Sequence, residues 1–179
     1  PHLSSYRERF TINGVKINKE QLTRIIEEIM PVLEAVSRSE YGNPTEFEVG
    51  TAIAFQFFAA ERVDMAIVEV GLGGRFDATN VLRPALSVIT HIDYDHQQYL
   101  GNSLTEIAFE KAGIIKTGIP VVIGFQYPEI ESYLHKIADS RNSPVNSASA
   151  IEIKGIKVTE NGTEAEYYRT YFGDIHAAL

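Results

Sequence analysis

Residues 65–80 constrain this chain more than any other stretch. Met65-Ala66-Ile67-Val68-Glu69-Val70 has the length and composition of a buried strand. It runs into Gly71-Leu72-Gly73-Gly74-Arg75-Phe76-Asp77-Ala78-Thr79-Asn80, a glycine-rich turn carrying an acid, a base and an amide. Open α/β sheets bind ligands outside the carboxyl ends of their strands, so this strand end marks a candidate site. Glu69 lies inside the apolar run, and a buried carboxylate without a partner is costly. Its partner is a metal, a base or a substrate cation.

The flanking segments place that turn in an α/β sheet. Residues 6–17 alternate around Asn13-Gly14, a strong hairpin signal. Arg7, Glu8 and Arg9 read as a solvated strand face rather than a site. Asn18 caps a helix from Lys19 to about Val36, whose apolar stripe is Leu22, Ile25, Ile26, Ile29 and Leu33. Thr45 and Glu48 form a capping box that opens a second helix reaching about Arg62. That helix is apolar nearly all round, as if packed on a sheet. A second buried strand spans residues 86–90, and Ser103 with Glu106 opens a helix ending near Gly113. A third strand covers 120–124, and a helix runs from about Pro128 to Ser140. Strand and helix alternating at this spacing predict βαβ units and a mostly parallel sheet flanked by helices.

From Pro144 the pattern changes to short alternating runs at 151–154 and 156–158. A turn at Glu160-Asn161-Gly162-Thr163 precedes residues 165–172. We expect residues 1–143 to form the α/β domain and 144–179 to add a small antiparallel β extension to it.

Composition narrows the function. The net charge of −8 disfavours bulk binding to nucleic acid or an anionic membrane. A local cluster such as Arg75, Lys111 and Lys116 can still hold an anionic ligand. With no cysteine there is neither a disulfide framework nor a thiolate zinc site, which fits a cytoplasmic setting. No apolar run approaches the roughly 20 residues of a membrane span. The start has no Met and no signal-peptide pattern, and the chain stops abruptly at His176-Ala177-Ala178-Leu179, so a piece of a longer protein is expected.

Two chemistries fit the central turn. The Gly71, Gly73 and Gly74 set is a weak match to a dinucleotide-binding fingerprint, because Phe76 occupies the last glycine position and a loop follows. Alternatively, Glu69 and His96 stand at the ends of two strands, with Lys111 on the next helix. Carboxylates suit Mg²⁺, and a histidine suits Mn²⁺ as well. A lone Glu and a lone His near strand ends are more often ordinary hydrogen-bonded residues, so spacing does not decide between these readings.

Resemblance separates them. Pro1-His2-Leu3 with Tyr6-Arg7-Glu8-Arg9, Thr45-Glu46-Phe47-Glu48, and the whole run from Glu69 to Asn80 occur in order. Asp95-His96 with Tyr99-Leu100-Gly101 and Glu110-Lys111-Ala112-Gly113-Ile114-Ile115-Lys116 follow. Over residues 1 to about 124 this set closely resembles the central ATPase domain of the folylpolyglutamate and dihydrofolate synthases, members of the Mur ligase superfamily.

The resemblance implies an ATP-dependent amide ligase of folate metabolism. A folate or dihydropteroate carboxylate takes the γ-phosphoryl of ATP, and L-glutamate displaces phosphate from the acyl phosphate. It implies that Glu69, His96 and a carbamylated Lys111 hold Mg²⁺ or Mn²⁺ and so serve catalysis. Thr45, Phe47 and Asp77 match positions near the pterin, and Arg75 is a candidate for an anionic group.

Departures from the family pattern set further expectations. This chain contains no P-loop and no serine before Pro1, and His91 and Asp93 replace small or neutral residues. The C-terminal domain that holds nucleotide and glutamate is expected in the rest of the parent chain. The chain alone is therefore expected not to turn over ATP. The alternatives are another Mur-type ligase acting on cell-wall precursors, and a non-catalytic ligand-binding module of the same fold.

Overall fold

The computed structural model describes residues 2–160, 162–170 and 173–178. The chain divides into two compact units, Pro1–Gly71 with Asp77–Val81, and Leu72–Phe76 with Leu82–Leu179.

In the first unit a 3-10 turn, Tyr6–Arg9, leads into a hairpin of β1 (Thr11–Ile12) and β2 (Val15–Lys16). Asn13 at φ 50° and Gly14 at φ 78° both take the left-handed backbone that a tight hairpin turn needs. The alternating strand expected from residue 6 starts only at Thr11. Glu8 is the reason. Its carboxylate accepts the amides of Leu3 at 2.9 Å and Ser5 at 3.1 Å, the Ser4 hydroxyl at 2.7 Å and the Lys16 ammonium at 3.1 Å, curling the chain.

Two helices follow. α1 (Lys19–Ser37) starts at Asn18, whose side chain accepts the Gln21 amide at 2.7 Å. α2 (Glu46–Ala60) starts at Thr45, whose hydroxyl accepts the Glu48 amide at 3.2 Å while Glu48 accepts the Thr45 amide at 2.7 Å. Within this unit α2 packs on α1, and Phe10, Ile17, Ile25, Ile53 and Phe57 are buried together. Each large apolar side chain removed from water contributes roughly 1.5–3 kcal/mol.

Residues 65–70 belong to no strand, and Met65 and Ile67 are 83% and 93% exposed. This corrects the expected buried central strand. A strand exists only by pairing with a neighbour, and among the described residues this run pairs with none.

The second unit is built on a parallel sheet in the order β3 (Ser87–Ile89), β4 (Val121–Ile123), β5 (Val145–Ser147), with Ser87 beside Val121 and Val121 beside Val145. Between these strands run α3 (Gln97–Leu100), α4 (Leu104–Lys111) and α5 (Pro128–Ser140). Ile89, Ile92, Ile107, Val121, Ile123 and Leu134 are in its core. β5 lies past Pro144, where only antiparallel strands were expected; three residues are too few to show a period.

An antiparallel sheet follows in the order β6 (Glu152–Thr159), β7 (Gly162–Thr170), β8 (Gly173–Ala178). β7 begins earlier than expected, and β8 was not anticipated. The turn residue Asn161, and Tyr171 and Phe172 of the expected strand, lie outside the described residues. No helix among the described residues is long and apolar enough to cross a membrane.

Candidate active site

Three of the predicted substrate-binding positions meet around α2 in the first unit. The capping box at Thr45 fixes the first turn of the helix and so the position of Phe47. Hydrogen bonds from the Thr45 amide and hydroxyl hold the Glu48 carboxyl below its ordinary range. The Phe47 ring lies against Gly71 so closely that a Cβ there would sit 2.4 Å from its Cζ. Only glycine leaves that space. Asp77 accepts the Gly71 amide at 3.0 Å through Oδ2, and the Thr79 amide and hydroxyl at 2.9 and 2.5 Å through Oδ1. A flat ring, a bare backbone and an oriented carboxylate therefore share one place. That combination suits a planar heterocycle with N–H donors.

Arg75 lies in the second unit with a different partner. Its Nε and Nη2 donate to the two oxygens of Glu110 at 3.1 and 2.7 Å, and its backbone amide donates to the Glu110 carbonyl at 2.8 Å. Its guanidinium carbon lies 3.9 Å from the Phe76 ring centre and 4.9 Å from that of Phe109. The hydrogen bonds to Glu110 hold Arg75 still more firmly protonated. The arginine predicted to meet an anion thus meets one supplied by the chain.

The three residues predicted to hold a metal are divided between the units. Glu69 is exposed in the first unit, and His96 and Lys111 belong to the second. His96 precedes α3 with φ 48° and ψ 37°, a left-handed conformation, and its Nε2 lies 3.5 Å from Asp95. Lys111 ends α4. Among the described residues no three His, Asp or Glu side chains gather to hold a metal. As residue types, a carboxylate and an imidazole suit a hard divalent cation.

The residues before His96 have local tasks. His91 Nδ1 lies 2.7 Å from the Phe125 carbonyl, and Asp93 accepts the Tyr94 amide at 2.8 Å. Gln126 bridges the two strand ends, accepting the Ile92 amide at 2.9 Å and donating to the Thr90 carbonyl at 2.7 Å.

Sequence reasoning missed Glu110 and Arg141. Arg141 donates to the Ala112 carbonyl at 3.0 Å and to that of Ile115. Glu110 carries a signal in hindsight, being an acid directly before the singled-out lysine. Arg141 carries none. A depression of about 410 Å³ is lined by Tyr99, Thr105, Glu106, Phe109, Glu110 and Tyr133. Its acids are engaged, Glu110 by Arg75 and Glu106 by Ser103 and the Asn102 amide.

The family described as Mur ligase middle domain matches residues 13–178. The chain belongs to this family. Over 148 residues it is 47% identical to the dihydrofolate synthase/folylpolyglutamate synthase of Bacillus subtilis, covering 82% of this chain and 34% of that protein. The apo structure of Lacticaseibacillus casei folylpolyglutamate synthase superposes with a TM-score of 0.90 at 32% identity, covering all of this chain and 45% of that one. A folylpolyglutamate synthase in complex with AMPPCP and folate matches with a TM-score of 0.88 at 33% identity, over 97% of this chain and 43% of that chain. The chain thus spans between about a third and less than half the length of these relatives.

Proposed function

We propose that this chain supplies the middle domain of an ATP-dependent ligase that joins L-glutamate to the carboxylate of a folate or of dihydropteroate. The observation that carries the reading is the convergence of Phe47, Gly71 and Asp77, in a chain similar to a synthase solved with AMPPCP and folate.

In this reading Phe47 stacks on the pterin, Gly71 leaves the room that the Phe47 ring needs, and Asp77 accepts the pterin N–H groups. Thr45 holds the start of α2 so that Phe47 keeps its place. Glu69, His96 and carbamylated Lys111 would hold Mg²⁺ or Mn²⁺, which would supply charge neutralisation for phosphoryl transfer. The substrate carboxylate oxygen attacks the γ-phosphorus and ADP leaves. The glutamate amine then attacks the acyl carbon, phosphate leaves and a proton passes to solvent. Cytoplasmic location accompanies this reading.

The test is ADP release by the complete ligase containing this chain, with dihydropteroate or tetrahydrofolate and with or without L-glutamate. Turnover that requires both substrates is expected. Turnover indifferent to the pterin substrate would overturn the proposal. The chain alone, which contains no P-loop, should release no ADP.

A further inference from the structure

We propose that Arg75 is a positioning residue which, acting through Glu110, holds the last turn of α4 and with it the backbone of Lys111. The inference rests on the reading of Lys111 as a metal-holding residue.

α4 has eight residues, too few for a stable isolated helix, and the last carbonyls of any helix lack partners within it. Here further partners come from elsewhere in the unit, both for the last turn and for the 3-10 turn Ala112–Ile114 that continues it. The Glu110 carbonyl accepts the Arg75 amide at 2.8 Å, the Ala112 carbonyl accepts Arg141 at 3.0 Å, and the Ile114 carbonyl accepts the Ser87 hydroxyl at 2.8 Å. Arg75 and Arg141 thus engage the residues on either side of Lys111, and of the two Arg75 alone does so through both backbone and side chain. Its guanidinium also lies over Phe109, one residue earlier on α4. Contact between turn and helix is tight, since a Cβ on Gly113 would meet the Arg75 Cα at 2.3 Å.

A carbamate makes this placement matter. The neutral Nζ of Lys111 attacks CO₂, an N–C bond forms, a C=O electron pair moves to oxygen and a proton leaves to water. A cation becomes an anion, so the extent of reaction depends on what surrounds Nζ. A Lys111 backbone free to shift would hold the carbamate poorly.

The experiment uses the complete ligase as wild type, Arg75→Met, Arg75→Lys and Glu110→Gln. Hydrogen exchange at the amides of residues 112–115 reports the clamp. ¹³C NMR with labelled bicarbonate and Mg²⁺ reports the carbamate. Arg75→Met should speed exchange at least tenfold and raise the half-saturating bicarbonate at least fivefold. Arg75→Lys, which keeps the charge but not the fork, should fall between. Unchanged exchange in Arg75→Met would overturn the proposal, as would an unchanged bicarbonate dependence alongside a clear wild-type carbamate signal. If the wild type forms no carbamate, the role of Lys111 in the metal site fails, and exchange alone still decides the clamp.

Discussion

The carboxylate of Asp77 accepts the amide of Gly71 at 3.0 Å, while its other oxygen serves the amide and hydroxyl of Thr79. Both oxygens face donors. Asp77→Asn must turn an NH₂ group toward one of those amides, so it should cost about as much as Asp77→Ala, about 1–2 kcal/mol. Urea midpoints of the three proteins test this. An Asn variant as stable as wild type would contradict the hydrogen-bond assignment.

Gly71→Ala should disturb Phe47 directly, because the new methyl would overlap the ring. Overpacking of this kind costs roughly 1–3 kcal/mol. Shortening the neighbour should relieve it, so Phe47→Ala combined with Gly71→Ala is expected to lose less than the sum of the single changes. Thermal melts of the double-mutant set provide the measurement, and strict additivity would rule out the contact.

Acid should unfasten the N-terminal turn. The Leu3 amide, the Ser4 hydroxyl and Lys16 lower the Glu8 pKa from an ordinary 4.5 to about 2. A depressed carboxyl contributes stability that is fully present above the unfolded value and is lost as pH falls through the folded one. Wild-type stability should therefore decline between about pH 4.5 and 2. Glu8→Gln should show a shallower decline over that window in urea midpoints measured at each pH.

Arg141 closes the end of α4 from the side opposite in sequence to Arg75. Arg141→Met removes donors from the carbonyls of Ala112 and Ile115. Hydrogen bonds from charged groups are worth about 1.5–3 kcal/mol each, so a loss of about 3–6 kcal/mol is expected by chemical denaturation.

What could be read in advance was what neighbours in the chain decide. Asn18, Thr45, Ser103 and Pro128 begin helices because a cap or a proline acts over three or four residues. Asn13-Gly14 makes its turn for the same reason. Residues 65–70 look like a strand, yet the pairing that would make them one depends on residues far away in sequence. The same limit hid the best-defined contact around the glycine turn, since Arg75 and Glu110 are separated by 35 positions. Phe47 and Asp77 were placed together by resemblance, and it took coordinates to show Gly71 between them.

His96 carries a consequence for anyone improving this protein in the laboratory. Its left-handed backbone, φ 48° and ψ 37°, costs an ordinary residue about 1–2 kcal/mol that glycine largely avoids. A library sorted only for heat resistance or yield would drift toward glycine at this position, and every round of such sorting would reward discarding the imidazole. On the metal-holding role proposed for His96, selection has to include turnover by the complete ligase from the first round, or it will favour descendants without the imidazole.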